Sequence, residues 1–172
     1  AIQFSVDAND NGNSGMSLCY PHGGSGNPGG CCGFYQPSSE LANSFKVDAN
    51  GLPLLDNSYR AGKPVSYRNS STNPEDPIAL NNDEIAVDPR LDFAIGRFGI
   101  PYKDWGTPKN GWVRDAANGG IYLPKKHVYS KAEEDAGLAS GGFSGGWAPG
   151  SAMNLQYLSL RDCILMYAEC LA

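Results

Sequence analysis

Two patterns of apolar residues predict the regular structure in the first third of the chain. The first six residues alternate between apolar and polar side chains, as in a strand that buries one face. Residues 37–51 predict a short helix, because Ser38 or Ser39 can cap its first turn and apolar residues follow at nearly helical spacing. Between these elements, residues 7–33 are rich in Gly, Asn and Ser, and they predict a long loop.

The stretch from residue 88 to residue 106 predicts a second strand. Leu91, Phe93 and Ile95 alternate with other side chains, and the pattern then slips near Gly96. The stretch ends in "GIPYKDWG", which places two aromatic rings on a loop. Residues 121–130 predict another short extended piece.

The strongest periodic pattern lies at the end of the chain and predicts an amphipathic helix that starts at Asn154. Its apolar positions recur at helical spacing. They are Leu155, Leu158, Ile164, Leu165, Tyr167, Ala168 and Leu171. Since the chain offers this helix no second long helix to pack against, we expect its apolar face to stay exposed. We therefore expect the isolated 172 residues not to fold to a stable state.

Composition adds that most of the chain forms turns and loops. Gly (22 residues) and Pro (12 residues) together make up about a fifth of the 172 residues. The aromatic content of 10% and a net charge of only −5 do not match a disordered chain. The acidic balance argues against nucleic-acid binding, and no run of 18 apolar residues predicts a membrane span.

The five cysteines suggest no metal-binding or redox motif, because no C-x-x-C pair is present. Cys31 and Cys32 are adjacent, and adjacent cysteines rarely bond to each other. The sequence leaves open a link from Cys19 to either of them. Cys163 and Cys170 are expected on one face of the closing helix as small core residues.

Candidate catalytic residues are weak throughout. Gly142–Gly146 matches the G-x-S-x-G nucleophile elbow around Ser144, but the strand and helix that expose such a serine are not predicted on either side. No pair of acids stands in a setting that predicts glycoside hydrolysis. Neither His22 nor His127 has a local ligand partner. We therefore expect no catalytic residue, no metal and no cofactor.

Aromatic residues on or beside loops are the remaining candidates. Tyr102, Trp105, Trp112, Tyr122 and Trp147 lie among Gly and Asn, and such rings can stack on the apolar faces of sugars. The alternative is that the rings fill a fold that lacks aliphatic core. The glycan-stacking candidates are four of these rings: we rank Trp147 first, then Trp112, then Trp105. Tyr102 is the fourth candidate, for which we favour a structural role.

Several stretches together resemble the SusD/RagB family of outer-membrane nutrient-binding lipoproteins. In order along the chain, the stretches are "CCGFYQPSSELANSFKVDANGLPLL" (31–55), "DPRLDFAIGRFGIPYKDWG" (88–106), "GWVRD" (111–115), "YLPKKHVYSK" (122–131) and "LRDCILMYAEC" (160–170). Their order and spacing resemble the C-terminal half of that family. Residues 1–172 are accordingly interpreted as a partial SusD/RagB-like domain that is truncated at both ends.

The resemblance implies a mainly α-helical full protein built on tetratricopeptide-like helical hairpins. In this interpretation the present residues are mostly loops, with short strands, one short helix and the closing amphipathic helix. The resemblance also implies a surface-exposed outer-membrane protein, lipid-anchored through a missing N-terminal segment, that delivers oligosaccharide to a SusC-like TonB-dependent transporter. A secreted or periplasmic glycan-active hydrolase and a purely structural surface protein are the alternatives.

Overall fold

A computed structural model describes residues 2–4, 19–29, 32–65, 85–140, 150–151 and 155–172. The helices are α1 (Ser39–Asn43), α2 (Leu91–Ala94), α3 (Ala116–Gly119), α4 (Lys131–Asp135) and α5 (Leu160–Leu171). The strands are β1 (Ile2–Phe4), β2 (Ile95–Gly96), β3 (Leu123–Pro124), β4 (Ala139–Ser140), β5 (Gly150–Ser151) and β6 (Leu155–Leu158). Short 3-10 turns occur at Ser58–Arg60 and Asn110–Trp112. The expected mixture of loops, short strands and a closing helix is thus confirmed.

Within the described residues the strands form three antiparallel pairs: β1 with β6, β2 with β3, and β4 with β5. In the first pair Ile2 lies opposite Leu158 and Phe4 lies opposite Leu155. The predicted strand at the start of the chain is confirmed over residues 2–4. The predicted helix start at Asn154 is wrong, because residues 155–158 form a strand.

The closing helix begins only at Leu160, and its capping residue explains why. The backbone N–H of Ser159 donates to the carboxylate of Asp162 at 2.9 Å, which is half of a capping box. That bond fixes the first helical turn after Ser159 and leaves the preceding four residues to pair with β1. The run of apolar residues from Leu155 to Leu171 therefore belongs to two elements rather than one.

The strand predicted within residues 88–106 is also wrong in its first half. Asp88 nucleates a turn, because its carboxylate accepts from the N–H of Arg90 at 2.9 Å and its carbonyl accepts from the N–H of Leu91 at 3.0 Å. The chain continues from this turn into α2. Leu91 and Ile95, four residues apart, are buried, whereas Phe93 between them is 80% exposed. The buried spacing is helical, and only Ile95–Gly96 is extended.

The first helix follows its sequence signal more closely. Ser38 caps α1, since its hydroxyl accepts from the N–H of Leu41 at 3.1 Å. The helix ends at Asn43, before the Asp48 turn, and isolated bridges then join Lys46 to Val87 and Val47 to Pro53. The predicted helix is confirmed. The last two apolar residues of its pattern, Phe45 and Val47, lie beyond its end.

The core consists of two clusters with a high aromatic content. The larger contains Cys19, Tyr20, Phe98, Tyr102, Trp112, Val113, Leu123, Val128, Tyr129 and Ala139. The smaller contains Ala42, Val65, Leu91, Ile95 and Tyr122. Strand β2 contributes Ile95 to the smaller cluster and β3 contributes Leu123 to the larger one, so this strand pair joins the two clusters.

Three lysine ammonium groups connect loops to one another. The Nζ of Lys46 donates to the carbonyls of Ala61 (3.2 Å) and Lys63 (2.8 Å). Lys103 donates to the carbonyl of Val128. Burial lowers the pKa of both side chains below the ordinary lysine value. These hydrogen bonds hold loops together where the strands are too short to form many backbone hydrogen bonds between neighbours.

The third lysine that connects loops is Lys125. Its Nζ donates to the carbonyls of Asp92 (2.6 Å) and Pro101 (2.7 Å). Burial, as the largest cause, lowers its pKa as well. Lys125 thereby holds the end of β3 against α2 and against the loop that carries Tyr102.

The apolar face of α5 is exposed, as its sequence predicts. Ile164, Leu165 and Tyr167 are 56%, 68% and 66% exposed. Cys163 and Cys170 are exposed too, so the expectation that they lie in a core is wrong for the described residues. No helix in the described part of the chain combines the length and the apolar character that a membrane crossing requires.

Cys19 is a buried free thiol, so the link to Cys31 or Cys32 that the sequence left open is not formed. Burial, the largest cause, raises the pKa of this thiol to about 12. Cys32 is disulfide-bonded, and Cys31 lies outside the described residues.

Candidate ligand-binding site

Two of the four rings proposed from sequence lie in the core. Trp112 is 1% exposed and Tyr102 is fully buried, and the two rings meet edge to face with centroids 5.6 Å apart. The indole N–H of Trp112 donates to the carbonyl of Ser25 at 3.2 Å, and the hydroxyl of Tyr102 donates to the carbonyl of Pro124. Neither ring presents a face to solvent. For Tyr102 this is the structural role that we favoured. For Trp112 it is the alternative to glycan stacking, namely a ring that fills the core. Tyr122 is fully buried as well.

The other two rings differ from this pair. Trp105 is half-buried against the larger core cluster, and its indole N–H donates to the carbonyl of Tyr129 at 3.0 Å. The Nζ of Lys131 lies 5.7 Å from the centroid of the Trp105 ring, which leaves that ring partly covered. Trp147 lies outside the described residues, between β4 and β5. Its glycan-stacking role stays a prediction.

The structure instead brings an adjacent pair of aromatic rings to the surface. Phe34 is 44% exposed and Tyr35 is 66% exposed. The sequence signal was available in "CCGFYQP", where two rings stand between Gly33 and Pro37 with no periodic apolar neighbours. Rings without a periodic pattern have no strand or helix face to bury them.

The pair stands between two anchored residues. On one side the N–H of Gly33 donates to the carbonyl of Tyr20 at 2.8 Å. On the other side the amide of Gln36 donates to the carbonyls of Gly120 (3.0 Å) and Tyr122 (3.2 Å). Both ends of this short loop are therefore fixed to the body of the protein.

Glycine is required at position 33. Its φ of +71° lies in the left-handed region, and a Cβ there would lie 2.6 Å from the Cβ of Arg114. The loop backbone consequently packs directly against the segment that contains Arg114. Tyr35 also has a positive φ of 55°, a conformation that non-glycine residues adopt at a cost.

A polar cleft of about 350 Å³ lies on one side of Tyr35. It is lined by Gly33, Phe34, Tyr35, Gln36, Arg114, Asp115, Asn118 and Gly119. The guanidinium of Arg114 lies over the Phe34 ring at 4.5 Å from its centroid and donates to the carbonyl of Cys32 at 2.7 Å. Both interactions orient the arginine along the cleft wall.

Helix α3 positions the remaining polar groups of the cleft. One carboxylate oxygen of Asp115 accepts from the N–H groups of Ala117 (3.1 Å) and Asn118 (3.2 Å), and so it caps the helix. The side chain of Asn118 is exposed on the same short element. The cleft thus combines an exposed ring with guanidinium, carboxylate and amide groups.

An apolar groove of about 360 Å³ also borders Tyr35. Tyr35, Pro37, Leu41, Phe45, Ala94, Ile95 and Pro124 form its apolar lining. Cys19, Lys125, Lys126 and His127 complete it. Tyr35 therefore lines both a polar site and an apolar one.

The acidic side chains of the described residues serve mainly as structural acceptors. Glu40 pairs with Arg60 at 2.7 Å, and that partner's hydrogen bond lowers the pKa of the carboxyl. Asp92 pairs with the buried Arg97 at 2.6 Å. Within the part of the chain that the structure describes, no group of three His, Cys, Asp or Glu side chains could hold a metal ion.

No family model matches the chain, and comparison with curated proteins finds no significant match.

Proposed function

We propose that this protein is a glycan-binding component of an outer-membrane nutrient uptake complex, and that the polar cleft contacts the glycan. The observation that carries the proposal is the exposed Phe34–Tyr35 pair, anchored at both ends beside Arg114, Asp115 and Asn118. The SusD/RagB-like stretches of the sequence supply the biological setting.

The chemistry of the cleft suits a sugar. A pyranose presents C–H faces that a ring such as Tyr35 can cover, and its hydroxyls need planar donors and acceptors at the edge. Arg114 and Asn118 offer N–H donors, while Asp115 and Asn118 offer oxygen acceptors. The loop is held in place before binding, so that little side-chain and loop ordering opposes association.

The wider setting follows from the resemblance. We propose a lipid-anchored, surface-exposed protein that delivers oligosaccharide to a SusC-like TonB-dependent transporter. The exposed apolar face of α5 supports the further proposal that this helix packs within tetratricopeptide-like hairpins of the full-length protein.

The hydrolase alternative requires a carboxylic acid whose pKa is raised. The carboxyls of Glu40, Asp48, Asp56 and Asp88 have lowered pKa values instead, because side-chain or backbone donors stabilise their charged forms. Incubation of the full-length protein with labelled oligosaccharides distinguishes the two functions, since released product would support the hydrolase.

The proposal is tested by glycan titration of Phe34→Ala and Tyr35→Ala variants of the full-length protein. If these rings anchor the sugar, each substitution weakens binding by about 2 kcal/mol, or roughly 30-fold. Phe93→Ala is the matched control, because Phe93 is 80% exposed on α2 and does not line the cleft.

Melting curves of the same variants separate binding from folding. A large loss of stability, about 3 to 5 kcal/mol, is typical of a core ring and is not expected for these exposed ones. Binding that is equally strong in wild type, Phe34→Ala and Tyr35→Ala would contradict the assignment of the cleft.

A further inference from the structure

We propose that the apolar groove binds an aryl substituent carried by the glycan, so that the protein selects aryl-substituted glycans over bare ones. This inference rests on the proposed function of the polar cleft and adds a second subsite to it.

The first argument is continuity. Tyr35 lines both sites, and the residues that follow it alternate between them: Gln36 lines the cleft and Pro37 lines the groove. One ligand that crosses Tyr35 therefore enters both sites without leaving the protein surface. Tyr35 has an unfavourable backbone conformation, with φ of 55°, at the point where the two sites meet.

The second argument is the chemistry of the groove walls. Leu41 and Phe45 come from α1 and its C-terminal extension, Ile95 from β2 and Pro124 from β3. A sugar hydroxyl placed among these side chains would lose its hydrogen bonds to water without replacement. The groove consequently rejects a sugar ring and accepts an apolar group.

The charged residues of the groove do not change this conclusion. The ammonium of Lys125 is directed to the carbonyls of Asp92 and Pro101. Lys126 is exposed, and an ammonium beside a bound ring favours an aromatic face over an aliphatic chain. The thiol of Cys19 is buried and its pKa is raised to about 12, so it remains protonated and does not act as a nucleophile.

The third argument is size and shape. A volume of about 360 Å³ lies at the small end of the range of roughly 300–1,000 Å³ for small-molecule sites. This volume is sufficient for a single substituted ring. The flat rings of Tyr35 and Phe45 and the two prolines offer the surfaces against which an aryl group packs edge to face or offset.

The test compares three matched sets of neutral oligosaccharides against the full-length protein: unsubstituted, carrying one benzoyl ester, and carrying one butyryl ester. We expect the benzoylated set to bind about tenfold or more tightly than the unsubstituted set, with the affinity of the butyrylated set between the two. Leu41→Asp, at the 49% exposed rim of the groove, should abolish this preference while leaving the affinity for unsubstituted glycan unchanged.

Leu55→Asp is the matched control, because Leu55 is 88% exposed and does not line the groove. It should retain the tenfold preference. Equal affinity for the unsubstituted and benzoylated sets, or equal gains from benzoyl and butyryl esters, would overturn the inference while glycan binding itself stands.

Methyl benzoate, titrated by NMR, tests the groove without a sugar. If wild type binds methyl benzoate and Leu41→Asp does not, the groove is an aryl-binding site. If no oligosaccharide binds in the same experiments, the proposed glycan-binding function fails while the aryl-binding site stands. Absence of methyl benzoate binding together with unselective glycan binding would overturn the aryl subsite.

Discussion

Substitution of Gly96 by alanine tests how tightly the strand pair at the centre of the protein is packed. Gly96 lies in β2, opposite Leu123 of β3, and its backbone φ is not in the left-handed region. Alanine is therefore acceptable to the backbone, and any loss of stability comes from packing alone. A Cβ at this position would lie 2.5 and 2.6 Å from two ring carbons of Tyr102 and 3.1 Å from the Cβ of Leu123.

The magnitude follows from how little these neighbours can move. Carbon atoms pack at about 3.5–4.0 Å, so the Tyr102 ring must retreat by roughly 1 Å. That ring is fully buried, lies edge to face with Trp112, and is held through its hydroxyl to Pro124. Overpacking of this kind costs about 1–3 kcal/mol, and the reduced freedom of the unfolded chain returns about 0.4–1 kcal/mol.

We therefore expect Gly96→Ala to destabilise the full-length protein by about 1–2 kcal/mol, and to lower its melting temperature by about 2–8 °C if it unfolds as a unit of 150–250 residues. Gly23→Ala is the matched control, because the nearest atom to its added Cβ is the carbonyl oxygen of Gly111 at 3.6 Å, an ordinary contact. Thermal and urea unfolding of both variants measure the difference. Indistinguishable midpoints for Gly96→Ala and wild type would refute the reasoning.

Two further predictions concern cysteine reactivity and acid stability. The buried thiol of Cys19 should react with a maleimide in the folded protein only after unfolding. Rapid labelling of Cys19 in the native protein, identified by peptide mass spectrometry, would contradict its burial. The hydrogen bond from the Arg90 side chain, followed by the Arg90 backbone N–H, lowers the pKa of Asp88 from 3.8 to about 2. Since the folded pKa lies below the unfolded one, this contribution to stability is fully present above about pH 4 and is lost as the pH falls through about 2. Asp88→Asn should therefore flatten the decline of melting temperature between about pH 4 and pH 2, and parallel pH profiles for the two proteins would argue against the linkage.

Local signals in the sequence predicted the elements that local chemistry determines. The hydroxyl of Ser38 caps α1, and the alternation at the start of the chain corresponds to β1. The errors arose where one apolar run served two elements. Leu91 and Ile95 fit both a strand and a helical turn, and only the Asp88 turn decides between them. Leu155–Leu158 looks helical until its pairing with β1, about 150 residues away, is known.

The candidate site was harder to predict because exposure of a ring depends on distant contacts. Trp112 and Phe34 both stand beside glycines in the sequence. Trp112 is buried because Tyr102 and the Ser25 carbonyl pack around it. The Phe34 ring is contacted by the Arg114 guanidinium but remains partly exposed to solvent. Those partners are roughly 10 to 90 residues away along the chain, beyond the reach of periodicity arguments.

The short loop that carries Phe34 and Tyr35 has a consequence for which exchanges can change ligand preference. Its stability comes from the backbone of Gly33 and from the side chain of Gln36, not from the two rings between them. Exchanges at positions 34 and 35 would therefore alter the surface of the proposed site while leaving both anchors of the loop intact. Exchange of Gly33 or Gln36 would instead detach the loop from the body of the protein.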